Sequence, residues 1–167
     1  MSGLQSRRNP GDGGALWLRA LRRYFAFAIP AHLAWEVVQL PLYTIWYEDP
    51  PGRIAFAAIH CTGGDALIAS ASLLGALLLF GNRHWPDERY IVVAAPAVLA
   101  GVGYTIFSEW HNTEVRNSWA YSSLMPTLPG LGTGLSPLLQ WFVIPIAAFW
   151  WARPRRVGRI KLVEEAS

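Results

Sequence analysis

The stretch "FSEWHNTEV", residues 107–115, sets Glu109, His111 and Glu114 within six positions, directly after a long apolar run. A second group of the same chemistry lies nearer the start, where His32, Glu36, Gln39 and Tyr43 follow one another at intervals of 4, 3 and 4 residues. At about 100° per residue on a helix, that spacing keeps all four in one narrow stripe. His60 and Asp65 flank "CTGG" between the two groups.

Three histidines and three carboxylates, His32, Glu36, His60, Asp65, Glu109 and His111, supply enough N and O donors for a Zn, Fe, Mn or Cu ion. In that scheme His32, Glu36, His60, Asp65 and His111 are the metal-ligand candidates. Glu109 or Glu114 is then the general base that activates a bound water against a lipid-borne substrate. The i and i+4 placement in "HLAWE" suits two ligands, or one ligand and the carboxylate that orients it. No HExxH, CxxC or phosphate-binding loop narrows the choice further.

The same groups also suit proton or metal-ion transport, or ion pairs that lock helix packing. Haem is disfavoured, since His32 and His60 fall about 9 Å apart in depth at the helical rise. A non-enzymatic accessory or assembly role in a membrane complex stays open for a chain this small.

The elements that must carry these residues follow from composition. The chain has 167 residues, 53% hydrophobic and 15% charged, with nine tryptophans. That is too apolar for an ordinary soluble domain of this length. The apolar residues fall in blocks with charges at their edges, and four blocks reach the roughly 20 residues that a bilayer core demands. The expected fold is therefore all-α, a bundle of four transmembrane helices with spans at about 24–46, 54–80, 90–110 and 135–151. Residues 1–23 read as a mobile basic tail, 111–134 as a long outer loop and 153–167 as a second basic tail.

Twelve of the Lys and Arg residues lie in the two tails or between the second and third spans, and only Arg53 and Arg116 lie in the alternate loops. This asymmetry predicts both termini on the cytoplasmic side of the inner membrane, against anionic lipid. No recognition pattern for nucleic acid accompanies the arginines. The only cysteine, Cys61, excludes an internal disulfide.

Depth then pairs the groups. Counted outward from Tyr24 at about 1.5 Å per residue, His32 lies near 12 Å and Glu36 near 18 Å. Counted inward from Ile54 through a core of about 30 Å, His60 lies near 21 Å and Asp65 near 13 Å. His32 is thus expected to face Asp65, and Glu36 to face His60. The two residues of the second span are five apart, about 140° around an ideal helix, so this double pairing needs a break at Gly63–Gly64. Otherwise Asp65 turns to the third helix.

Ala97, Gly101, Thr105 and Glu109 repeat at four and predict a small-residue packing face on the third span, while the fourth span contributes Gln140. Every strong polar group falls from mid-depth outward, which predicts a pocket opening to the outside beneath the 111–134 loop. The inner half offers no continuing polar path, so conduction would need a homo-oligomer or a larger complex.

Overall fold

The computed structural model describes residues 10–154. Among them the chain forms α1 (Pro10–Gln39), a 3-10 turn (Leu40–Leu42), a short α2 (Ile45–Glu48), α3 (Pro51–Phe80), α4 (Tyr90–Trp110), a π-helical turn (His111–Val115) and α5 (Leu135–Ala152). Four stretches, Gly14–Leu42, Pro51–Phe80, Tyr90–Val115 and Leu135–Ala152, are long and apolar enough to cross a membrane. The chain is a multi-pass, all-helical membrane protein. Large apolar side chains such as Val38, Leu67, Leu78, Leu99 and Ile146 point outward from it, as a lipid solvent allows.

α1 packs against α3 and α5, and α4 packs against the same two helices. The four long helices therefore close a ring in the order α1, α3, α4, α5. Both ends of the described chain lie at one end of this ring, and the 111–134 loop lies at the other.

α1 differs from its expected bounds at both ends. It begins at Pro10 because "ALWL" continues the apolar pattern, so Arg19, Arg22 and Arg23 sit on helix and not in a tail. Arg23 reaches the last turn of α5, where Nη2 donates to the Trp151 carbonyl at 2.5 Å and the guanidinium lies 5.5 Å from the Trp151 ring centre. A cation there satisfies an unpaired carbonyl and complements the negative end of the helix dipole. At its other end α1 stops at Gln39, short of Trp46, because Pro41 carries no N–H. Pro51 in turn opens α3 at a position where its missing N–H costs nothing. The expectations for residues 1–9 and 155–167 fall outside the described residues.

The shared interior changes character along the bundle axis. Near the termini it is apolar, with Tyr24, Leu73, Leu77, Val93, Ile144 and Phe149 buried together. Towards the loop end the buried residues include the polar His32, Glu36, Gln39, Asp65, Glu109 and Gln140.

The loop itself is ordered. Its Ser122 N–H donates to the Leu42 carbonyl at 2.9 Å, and the Thr44 N–H donates to Ala120 at 3.0 Å, which pairs Tyr43 with Tyr121 in an antiparallel bridge. Ser122 Oγ also donates to the Pro41 carbonyl at 2.9 Å. The carbonyls left open where α1 stops are thus taken up by the loop. Gly130 and Gly132, at φ of 83° and 67°, supply the left-handed turns that bring the chain back to α5.

Candidate functional site

On α1 the buried positions Ala20, Tyr24, Ala28, His32, Glu36 and Gln39 recur at three or four residues and form one inward stripe. It is apolar in its first half and polar in its second. α3 brings Asp65 to this stripe, and α5 brings Ser136, Gln140 and Trp141.

Gln140 is the hub. Its Nε2 lies 3.0 Å from Glu36 Oε1, 3.0 Å from Asp65 Oδ2 and 3.0 Å from His32 Nδ1. Its Oε1 accepts from Gln39 Nε2 at 3.2 Å, which also donates to Glu36 Oε1 at 3.0 Å. Ser136 Oγ donates to Gln39 Oε1 at 2.8 Å and accepts from Trp35 Nε1 at 3.2 Å. Asp65 receives a further bond from Trp141 Nε1 to Oδ1 at 3.1 Å.

Counting protons fixes the imidazole. A carboxamide nitrogen has two N–H groups, and three acceptor-type atoms surround this one. His32 Nδ1 also lies 3.2 Å from Asp65 Oδ2, a contact that is attractive only with a proton between the atoms. One arrangement that serves the ion pair puts that proton on Nδ1, directed at Asp65, and gives the two Gln140 N–H groups to Glu36 and Asp65. In that arrangement Nε2 is the nitrogen without a proton. It is buried without a hydrogen-bond partner, beside the Trp141 ring, whose centre lies 5.1 Å from that of the imidazole.

Small residues set this arrangement. Gly101 on α4 lies against the six-membered ring of Trp141, so closely that a β-carbon at 101 would overlap it. The expected packing face of Ala97, Gly101, Thr105 and Glu109 is buried throughout. Within it, Gly101 is the residue against the indole that donates to Asp65.

A second tier lies towards the loop. Glu109 is buried, and Tyr121 OH donates to its Oε2 at 2.5 Å while accepting from the Gly134 N–H at 2.9 Å. Tyr43 and Cys61 stand between the tiers, each near enough to Glu36 and Glu109 to feel both charges. Burial first, and the facing Glu109 carboxylate second, push the Tyr43 and Tyr121 phenols up from the ordinary tyrosine range. Both remain neutral donors at physiological pH.

The structure thus unites His32, Glu36 and Asp65, with Glu109 one tier above, and it departs from three expectations. His60 is exposed on the outer face of α3, stacked on Phe56 at 5.5 Å, so the Glu36 pair it was expected to form does not exist. The physical reason is the 140° separation: α3 stays helical through Gly63–Gly64, so Asp65 faces inward, to α1 and α5, and His60 outward. His111 and Glu114 lie on the π-helical turn, away from the cluster. His111 stacks on Phe107 at 5.7 Å, and Glu114 is exposed. Nor does the pocket open outward, because the loop and Tyr121 cover the buried tiers.

Sequence reading placed Gln140 on the fourth span but missed its centrality. It also missed Ser136, Trp141 and Tyr121. The signal was the i, i+4 pair of polar residues in "SPLLQW", which puts Ser136 and Gln140 on one face of α5. Tyr121 carried no such signal.

Among the described residues, no group of three His, Cys, Asp or Glu side chains is arranged to hold a metal ion. Comparison with known protein families, characterised proteins and solved structures finds no match to this chain.

Proposed function

We propose that this multi-pass membrane protein carries a buried acid–base site that acts on a membrane-soluble substrate, with His32 Nε2 as the atom that takes and returns the proton. One observation carries the reading: Nε2 is buried and unpartnered while Asp65 holds Nδ1. An orphaned buried nitrogen costs on the order of 1–3 kcal/mol, which selection retains where the atom has work to do. The Asp–His pair fixes tautomer and ring orientation, the usual requirement for a histidine base. Glu36 shares the Gln140 amide with this pair, and Glu109 with Tyr121 forms the upper step by which protons reach it.

The apolar interior near the termini favours chemistry over conduction, because protons that enter from the loop end must leave by it. The arginine distribution supports a loop end outside the cytoplasm.

The test compares membrane lipids and other extractable apolar molecules from cells expressing the wild-type chain, His32→Gln and no protein. A species that accumulates or disappears in His32→Gln as in the null supports the reading. Identical profiles in all three sink it.

A second reading rests on Gln140 Nε2 itself, which stands 3.0 Å from three ligand-type atoms in the manner of a bound cation. A Zn, Fe, Mn or Cu ion would need the amide turned aside, His32 Nδ1 free of its proton, and His32, Glu36 and Asp65 drawn in from the places they hold here. Elemental analysis of protein purified without chelator or affinity metal decides it. About one equivalent of metal, lost in His32→Ala, supports a metalloenzyme.

A further inference from the structure

Between the loop-end turns of α1 and α3 lies a groove of about 470 Å³, within the roughly 300–1,000 Å³ of small-molecule sites. Leu40 and Ala58, both buried, form its floor. Val37, Ile54 and Ala55 form its walls, and Trp46 and Asp49 its rim. Apolar atoms dominate this lining, as an alkyl chain requires.

The groove sits on the path to the polar site. Glu36 lies on the last turn of α1, four residues before Leu40, and Thr62 is one turn from Ala58 on α3. The next layer down the same seam is the His32–Asp65 pair. The rim residue Asp49 is paired with a cation just outside the groove: Arg53 Nη1 lies 3.1 Å from Asp49 Oδ1, the arginine side chain 75% exposed and the aspartate 24%. Arg53 is one of only two basic residues at this end of the bundle.

We infer that this seam is a lateral lipid site, holding one acyl chain of a zwitterionic glycerophospholipid against Leu40 and Ala58, with the headgroup phosphate at Arg53 and its ammonium at Asp49. The paired charges match such a headgroup, and Trp46 supplies the interfacial aromatic at the level of the glycerol. A chain lying there enters the bundle from the bilayer, directly above Glu36, without passing the Tyr121-covered loop. The site names the substrate class of the acid–base reading and rests on that reading for its chemistry. Occupancy of the groove does not depend on it.

The test reconstitutes the full chain in phosphatidylcholine vesicles with a trace of photoactivatable phosphatidylcholine, and maps labelled peptides by mass spectrometry. Labelling at Val37, Trp46 and Ile54 several-fold above that at Leu67, Leu99 and Leu139 is the expected result. Ala55→Trp fills the groove from an exposed wall position and brings that labelling down to the level of the open lipid face. Arg53→Ala, a surface change that leaves the packing alone, does so in part. Even labelling around the bundle, or groove labelling that neither variant lowers, overturns the inference. His32→Gln keeps the groove labelled, so unchanged cellular lipids alongside a labelled groove defeat the acid–base reading alone.

Discussion

His32 and Asp65, on two different helices, stand with Nδ1 and Oδ2 3.2 Å apart in the buried interior of a membrane bundle. Two consecutive residues of α5 hold the aspartate in place, Gln140 from one side of the carboxyl group and Trp141 from the other. Bringing such groups out of water is costly without partners, and here every Asp65 oxygen has at least one. The imidazole is the member left with an open position.

Asp65→Asn tests that assignment. With the carboxylate intact, His32 is fixed with its proton on Nδ1, and selectively 15N-labelled histidine in nanodiscs reads this directly. The asparagine variant can present either an acceptor or a donor to Nδ1, so both tautomers are expected to appear. A wild-type spectrum showing the proton on Nε2 ends the proposal that this nitrogen is the free base.

Gln140→Leu removes two N–H donors from two carboxyl groups while keeping the shape of the side chain. A loss of about 2–3 kcal/mol is expected from the acceptors left without partners. Ser136→Ala, at the edge of the network, costs about 1 kcal/mol on the same scale. Chemical unfolding in mild detergent measures both. Equal, small losses would mean that Gln140 is not the hub.

Gly101→Ala forces a methyl group into the Trp141 ring and is expected to cost about 1–3 kcal/mol. In a Trp141→Ala background the clash is gone, so the penalty should vanish, a coupling that a double-mutant cycle detects. If the two changes add independently, α4 does not position the indole.

Much of this was legible in the sequence because a membrane simplifies the problem. Span number follows from apolar length, and the intervals of four and three on α1 put His32 and Glu36 on one face. The rise per residue then matched His32 with Asp65 in depth. Angular placement was less secure. His60 has the right depth for Glu36 and the wrong azimuth, and only the unbroken helix through Gly63–Gly64 decides between them. Trp141 was hidden for another reason: it lies well inside the fourth span, where its type and spacing look the same whether the indole only packs or also donates a hydrogen bond. Tyr121 lies in a loop whose fold depends on pairing with residues 42–44, which no periodicity announces.

Orientation rests on the arginines. A reporter active only outside the cytoplasm should work when fused after Gly130 and fail when fused at Ser167. The reverse pattern would put the covered site on the cytoplasmic face and turn the proton path around.

Tyr121 ties the loop to Glu109, and its pH dependence has a definite sign. Burial and the adjacent carboxylate raise its folded-state pKa above the unfolded tyrosine value near 10. The contact therefore contributes fully below about pH 10 and is lost only as pH rises through the raised folded value. A spectroscopic titration of wild type minus Tyr121→Phe should show one phenolate that appears late, above the ordinary tyrosine range. Tyr121→Phe should also loosen the loop at neutral pH, with faster proteolysis between residues 117 and 134 and little change in the helices. A Tyr121 phenolate forming in the ordinary range would mean that the phenol does not close over Glu109, and that the upper tier is open to water.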